Sequence, residues 1–171
     1  PANMNFHTAK SWNTSNYFSV GSGVTKTNVE VWFSPTDGPA SPPGGKVGGR
    51  IRNEIDKATA NITFCQFVFT DNDIDTAIRN RYAAGLTICG IFDNVIQNPI
   101  GDPFSAYDGL KTLIGSNNIK VWNGPAYLHH KFALIDRGTP NARVVTGSHN
   151  WTATANSQND ENTIIIRDYA V

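Results

Sequence analysis

Three short runs in the last third of the chain hold side chains that could do chemistry on a phosphate. They are His129-His130-Lys131-Phe132-Ala133-Leu134-Ile135-Asp136, Gly147-Ser148-His149-Asn150 and Asp160-Glu161-Asn162. Residues two apart in an extended strand share a face, so His129 and Lys131 project together, about 7 Å apart along the backbone, while His130 and Phe132 project the other way. Ser148 and Asn150 share a face for the same reason, and His149 turns away. A hairpin in register would bring that hydroxyl and amide toward the imidazole. This set suits an oxyanion such as a phosphodiester. The lysine offers fixed positive charge, and the hydroxyl and amide offer neutral donors to charge that develops on non-bridging oxygens. Histidine titrates near neutral pH and is the group for nucleophilic or acid–base work. Glu161, folded back onto a histidine N–H, would fix the ring tautomer. There is no CxxC pair and no Cys/His metal spacing, so no cofactor is expected and the positive charge is expected from the protein itself.

The elements that must position these runs follow from hydrophobic period and turn chemistry. Residues 1–28 are rich in Asn, Thr, Ser and Gly and read as a linker or N-terminal arm; residues 29–171 read as the domain. Strands are expected over 29–33, 62–69, 86–92, 119–122, 128–136, 143–146 and 161–167. Helices are expected over 50–59, 71–84 with an Asp/Asn-rich start, and 106–114, with a short one near 151–157. The Pro/Gly-rich stretch 34–49 reads as a plain loop, since it lacks a Lys-Ser/Thr phosphate-loop ending. Strands alternating with helices, then a run of strands, make an α/β domain with a mixed sheet. His130 is expected to be packed, His7 incidental, and Trp151 part of the core or its rim.

Composition narrows the classes. The 171 residues fit one ordinary domain and are too few for two full catalytic α/β domains. Lys and Arg (14) balance Asp and Glu (14), which excludes a polybasic tail or a globally cationic coat while allowing a local basic groove. Charged residues are 16%, below the roughly 25% of an average domain, and Asn, Thr and Gly fill the gap, a composition that points to a secreted or extracytoplasmic protein. No apolar run approaches the roughly 18 residues that span a bilayer, so no transmembrane segment is expected. The start at Pro1 reads as a processed or excised form. Cys65 and Cys89 lie in apolar runs and are expected as two buried thiols.

With these residues in view, the sequence resembles the phospholipase D superfamily, in its nuclease-like branch. The signature His-x-Lys-x4-Asp followed by Gly-Ser-x-Asn (the HKD motif and its extension) is met by His129, Lys131, Asp136, Gly147, Ser148 and Asn150, and the downstream Glu-Asn by Glu161-Asn162. Residues 29–35, 58–78 and 83–94 resemble the first half of such a domain. Ten residues separate Asp136 from Gly147 where the family pattern has about six, a longer hairpin tip that costs little.

The resemblance implies an α/β fold, a mixed sheet flanked by helices on both faces, and a metal-independent phosphodiesterase working through a phosphohistidine. It makes His129 the nucleophile or the acid, Lys131 and Asn150 phosphate ligands supported by Ser148, Asp136 a structural member, and Glu161 the carboxylate that orients histidine. It calls for two histidines, and this chain carries one motif. The site is therefore expected to be completed by a second HKD motif, in a homodimer or in the other half of a tandem chain. Nucleic acid, DNA or RNA, is the favoured phosphodiester substrate. A lipid phosphodiesterase or phosphatidyl transferase stands second, and a non-catalytic nucleic-acid or interaction module third.

Overall fold

Apolar side chains alternate along 61–66 and 87–92, so that Ile62, Phe64, Ile88 and Phe92 all become buried on one side. In the computed structural model, which describes residues 17–23, 26–35, 47–93 and 101–168, these runs are adjacent strands of one sheet. The described strands are β1 (Tyr17–Val20), β2 (Thr27–Ser34), β3 (Asn61–Gln66), β4 (Thr87–Phe92), β5 (Ile119–Val121), β6 (Lys131–Ile135), β7 (Arg143–Gly147) and β8 (Glu161–Arg167). Their order is β1-β2-β8-β7-β6-β3-β4-β5. β3, β4 and β5 run parallel, and every other neighbouring pair is antiparallel. Parallel neighbours need crossovers, supplied here by α2 (Asn72–Ala83) and α3 (Ala106–Ile114). α1 (Val47–Asp56) precedes β3, and α4 (Ala153–Ser157) links β7 to β8. The chain thus has the expected mixed α/β architecture.

The core lies between the helices and one sheet face. Ile51 and Ile55 of α1, Ile74 and Ile78 of α2 and Leu110 of α3 meet Ile62, Ile88, Ile135 and Ile165 of the sheet, all fully buried. Aromatic rings fill its upper end. Phe64, Phe69, Phe92 and Trp151 contact one another at centroid separations of 4.9–6.0 Å, mostly edge to face, the arrangement that ring quadrupoles favour.

The limits of α2 and α3 fall close to their expected positions, because the caps are local, whereas α1 begins and ends three residues earlier than expected and takes in Val47, Gly48 and Gly49, which were read as loop. Asp71 accepts hydrogen bonds from the amides of Asp73 (3.0 Å) and Ile74 (3.1 Å) at the start of α2. Ser105 does the same for α3 through the Tyr107 amide (3.3 Å). Two strands are shorter than expected by more than one residue. The 62–69 strand ends at Gln66, because Val68 and Thr70 turn their backbone bonds toward Trp151. The 128–136 strand starts only at Lys131, because the Leu128 amide bonds the Asp93 side chain instead of a neighbouring strand.

Two further expectations are corrected. A helix layer on both faces is not found among the described residues: α1 packs on α2, α2 on α3, and Asn156 of α4 bonds both Gly48 of α1 and the α2 cap Asp71, so all four share one side. Cys65 is buried but Cys89 is only half-buried, and both are free thiols. Within the stretch read as linker or arm, β1 pairs along β2 as the outer edge of the sheet. The arm's Phe6, His7 and Trp12 and most of the Pro/Gly-rich loop lie outside the described residues. Among the described residues, no helix is long and apolar enough to cross a membrane.

Candidate active site

β6 enters the sheet at Lys131, opposite Gln66, where β3 ends. At this end, the backbone just beyond β3 holds both halves of the motif. The Phe67 amide donates to the His130 carbonyl (2.8 Å), while the Trp151 amide donates to the Val68 carbonyl (3.2 Å) and the Trp151 carbonyl takes the Thr70 and Asp71 amides (2.8 and 2.9 Å). His129 and Asn150 thus each sit one residue from the same five-residue stretch. Trp151, 1% exposed, roots the second run in the aromatic core, which settles its role as packing.

His129 and Lys131 do share a face. The imidazole of His129 lies against the Phe67 ring (4.5 Å between centroids), and the Lys131 ammonium sits over that same ring (4.7 Å) while donating to the His129 carbonyl (3.0 Å). His129 is exposed and Lys131 is buried. Burial pushes the lysine below its ordinary pKa, and the Glu161 and Asp93 carboxylates pull it partly back. A desolvated ammonium next to an accessible imidazole is a strong attractor for an oxyanion, since little water must be displaced from it. His130 turns to the other face beside Phe132 (5.9 Å), where it is exposed rather than packed as expected.

The second run is clamped to the third. Ser148 donates its amide to the Asn162 carbonyl (3.1 Å), and its hydroxyl accepts the Asn162 amide (3.0 Å). Gly147 has φ 148°, and a Cβ there would collide with the Asn162 carbonyl, so only glycine permits this approach. Ser148 is exposed and Asn150 half-buried, while His149 is buried between them, as the alternation requires. Burial holds the His149 imidazole below its ordinary pKa, opposed in part by Glu161, Asn156 and Asp71. Glu161 Oε1 accepts from Asn159 Nδ2 (3.0 Å), and its charge acts on Lys131 and His149.

Asp136 stands at the opposite end of β6, away from this cluster. Its carboxylate is buried and accepts from the Thr59 and Ala60 amides (2.8 and 2.7 Å) and from Arg143 (3.0 Å). Burial alone would raise its pKa, but these donors outweigh it and hold the carboxyl below its ordinary value. The longer hairpin tip after it is closed by Thr139 and Ala142 amide bonds (both 3.1 Å).

Sequence reasoning missed Phe67 and Asp93. A carboxylate ending the apolar run 87–92 was the available signal for Asp93, which is fully buried and bonds the Leu128 amide (2.7 Å). Phe67 carried no signal, because it reads as one more apolar strand residue.

Comparison with known proteins gives the family. Residues 51–171 match the family model described as "Cardiolipin synthase, PLD-like domain". A phospholipase D of Rickettsia conorii is 32% identical over 147 residues, covering 86% of this chain and 65% of that protein. The human mitochondrial cardiolipin hydrolase is 28% identical over 130 residues, covering 74% and 47%. This chain therefore spans between about half and two thirds of the length of these relatives. Among solved structures, the phospholipase D family member Nuc from Salmonella typhimurium superposes with a TM-score of 0.60 at 24% identity, covering 83% of this chain and 84% of that one. NucT from Helicobacter pylori gives 0.64 at 22%, covering 84% and 87%. The family model covers most of the chain, from α1 through every element that holds the candidate site, and on that ground this chain belongs to the phospholipase D-like family.

Proposed function

We propose that this chain is a phosphodiesterase in which His129 attacks phosphorus. The His129 ring nitrogen forms the new P–N bond as the P–O bond to the leaving group breaks. The leaving oxygen takes a proton from the matching histidine of a second motif. That histidine then removes a proton from water, the resulting hydroxide attacks phosphorus, and the P–N bond breaks to free His129. Lys131 and Asn150 bind the non-bridging oxygens, and Ser148 holds Asn150 in place through its clamp to Asn162. Glu161 supports the charge on Lys131, and Asp136 fixes the far end of the strand.

The observation that carries this reading is the pairing of a buried ammonium with an exposed imidazole on one aromatic ring. Nucleic acid is the preferred substrate. An exposed Tyr127 meets the Phe67 ring (5.6 Å), the same ring that carries the buried Lys131 ammonium. The printed names of the relatives, phospholipase D and cardiolipin hydrolase, favour a phospholipid as the second reading. Incubating the protein in EDTA with single- and double-stranded DNA, RNA, and phosphatidylcholine or cardiolipin vesicles separates them. Nucleic-acid cleavage that persists in EDTA and falls roughly a thousandfold or more in His129→Ala is the expected result. Cleavage abolished by EDTA, or retained in that variant, contradicts the mechanism. Release of lipid head groups alone selects the second reading.

A further inference from the structure

The segment between β5 and β6 is short, irregular and firmly built. Its first residue, Trp122, donates its amide to the Phe92 carbonyl (2.8 Å), and near its end the Leu128 amide donates to Asp93 Oδ1 (2.7 Å). Both anchors are adjacent residues, fully buried at the end of β4. The Trp122 indole N–H closes the loop on the Ala126 carbonyl (3.0 Å). Gly124 lets the Trp122 ring lie against the backbone, where any Cβ would collide with it.

This scaffold holds one large side chain out into solvent at the site. Tyr127 is 58% exposed and stands two residues before His129. Its ring meets the Phe67 ring at 5.6 Å and 73°, and Phe67 in turn meets His129 at 4.5 Å and lies under the Lys131 ammonium at 4.7 Å. Tyr127 is therefore one ring away from both the reacting imidazole and the phosphate-binding charge. The core takes nothing from it, since the residues that bury the loop ends are Asp93 and Phe92. An exposed aromatic face fixed beside a phosphate site is what stacking on a nucleobase requires, and it tolerates any base because every base offers a π-face. Bases inside a duplex already spend both faces on each other, so only an unpaired strand can use it.

We infer that Tyr127 is the stacking platform for a nucleobase flanking the scissile phosphodiester, which makes single-stranded nucleic acid the substrate form. This rests on the nuclease reading above. The test compares wild type, Tyr127→Ala and Tyr127→Trp in EDTA on three substrates: a single-stranded oligodeoxynucleotide, its duplex, and a strand of the same length built from abasic units. Wild type should prefer the single strand to the duplex and to the abasic strand. Tyr127→Ala should lower the ratio of kcat/KM on the intact strand to that on the abasic strand by roughly five- to a hundredfold, mainly through KM, and Tyr127→Trp should restore it. An unchanged ratio, failure of tryptophan to restore it, or a Tyr127→Ala effect that tracks a changed oligomeric state by light scattering overturns the inference and leaves the nuclease reading standing. If wild type cleaves no nucleic acid at all, the nuclease reading itself fails, and this inference with it.

Discussion

At the scale of single residues, the site was largely legible because its chemistry is carried by unusual types at strand spacing. His129 with Lys131, and Ser148 with Asn150, could be paired by alternation alone, and the structure puts each on the side expected. What could not be read was the direction of the long side chains. Glu161 takes a local bond from Asn159, while its charge reaches Lys131 and His149, which lie far from it in sequence. His149 itself supports a prediction. Its nitrogens are enclosed and its pKa lies below the ordinary 6.5, lowered by burial against the partial opposition of Glu161, Asn156 and Asp71. Below pH 6.5 the unfolded chain binds a proton that the folded chain refuses, so the fold loses stability as pH falls from 6.5 to the folded pKa, and the loss levels off beneath it. Replacing His149 by Phe keeps the ring volume and removes this proton. Urea midpoints at pH 7.5 and pH 5 should therefore converge in His149→Phe relative to wild type; parallel shifts in the two proteins would show that His149 does not titrate in this way.

At the scale of elements, the two ends of β6 have separate tasks. Its start presents Lys131 to the site, and its end delivers Asp136 to the turn before β3, where it caps the Thr59 and Ala60 amides. Arg143 then ties Asp136 to Glu54 of α1, and Arg50 and Arg167 join the same carboxylate (2.6 and 2.9 Å). This network locks α1 and the β6–β7 hairpin, so the motif's aspartate acts on stability. Asp136→Asn should cost roughly 3 kcal/mol at pH 7, because it leaves a buried guanidinium short of one partner. The folded pKa of Asp136 lies below its ordinary 3.8, so its contribution is complete above that pH and is lost as pH falls through the folded value. The gap between variant and wild type, measured by urea unfolding, should close in acid; a gap equally wide at pH 7 and pH 3 would refute the charge argument. The limits of α2 and α3 were legible because their caps are local, as at Asp71 and Ser105. The strand ends were not, because residues 67–70 and 128–130 take their hydrogen bonds from segments far away in the chain.

At the scale of the whole molecule, one motif supplies one histidine to the proposed chemistry, which needs two. The zero net charge sharpens this, since the attraction for a phosphate must come from Lys131 and whatever stands opposite it. If the second histidine comes from another copy of this chain, activity belongs to the pair. Mixing wild type with His129→Ala then gives a distinctive titration. Pairs that form at random and need both histidines lose activity as the square of the wild-type fraction, so an equal mixture retains about a quarter; chains that act singly retain about half. The mixture must be unfolded and refolded together, or equilibrated long enough to exchange partners, before the assay. A quadratic curve, with light scattering showing dimers, would establish the shared site. A linear curve would place the second histidine elsewhere and oblige the proposed mechanism to find another acid; among the described residues, His130 turns to the opposite face and His149 is buried.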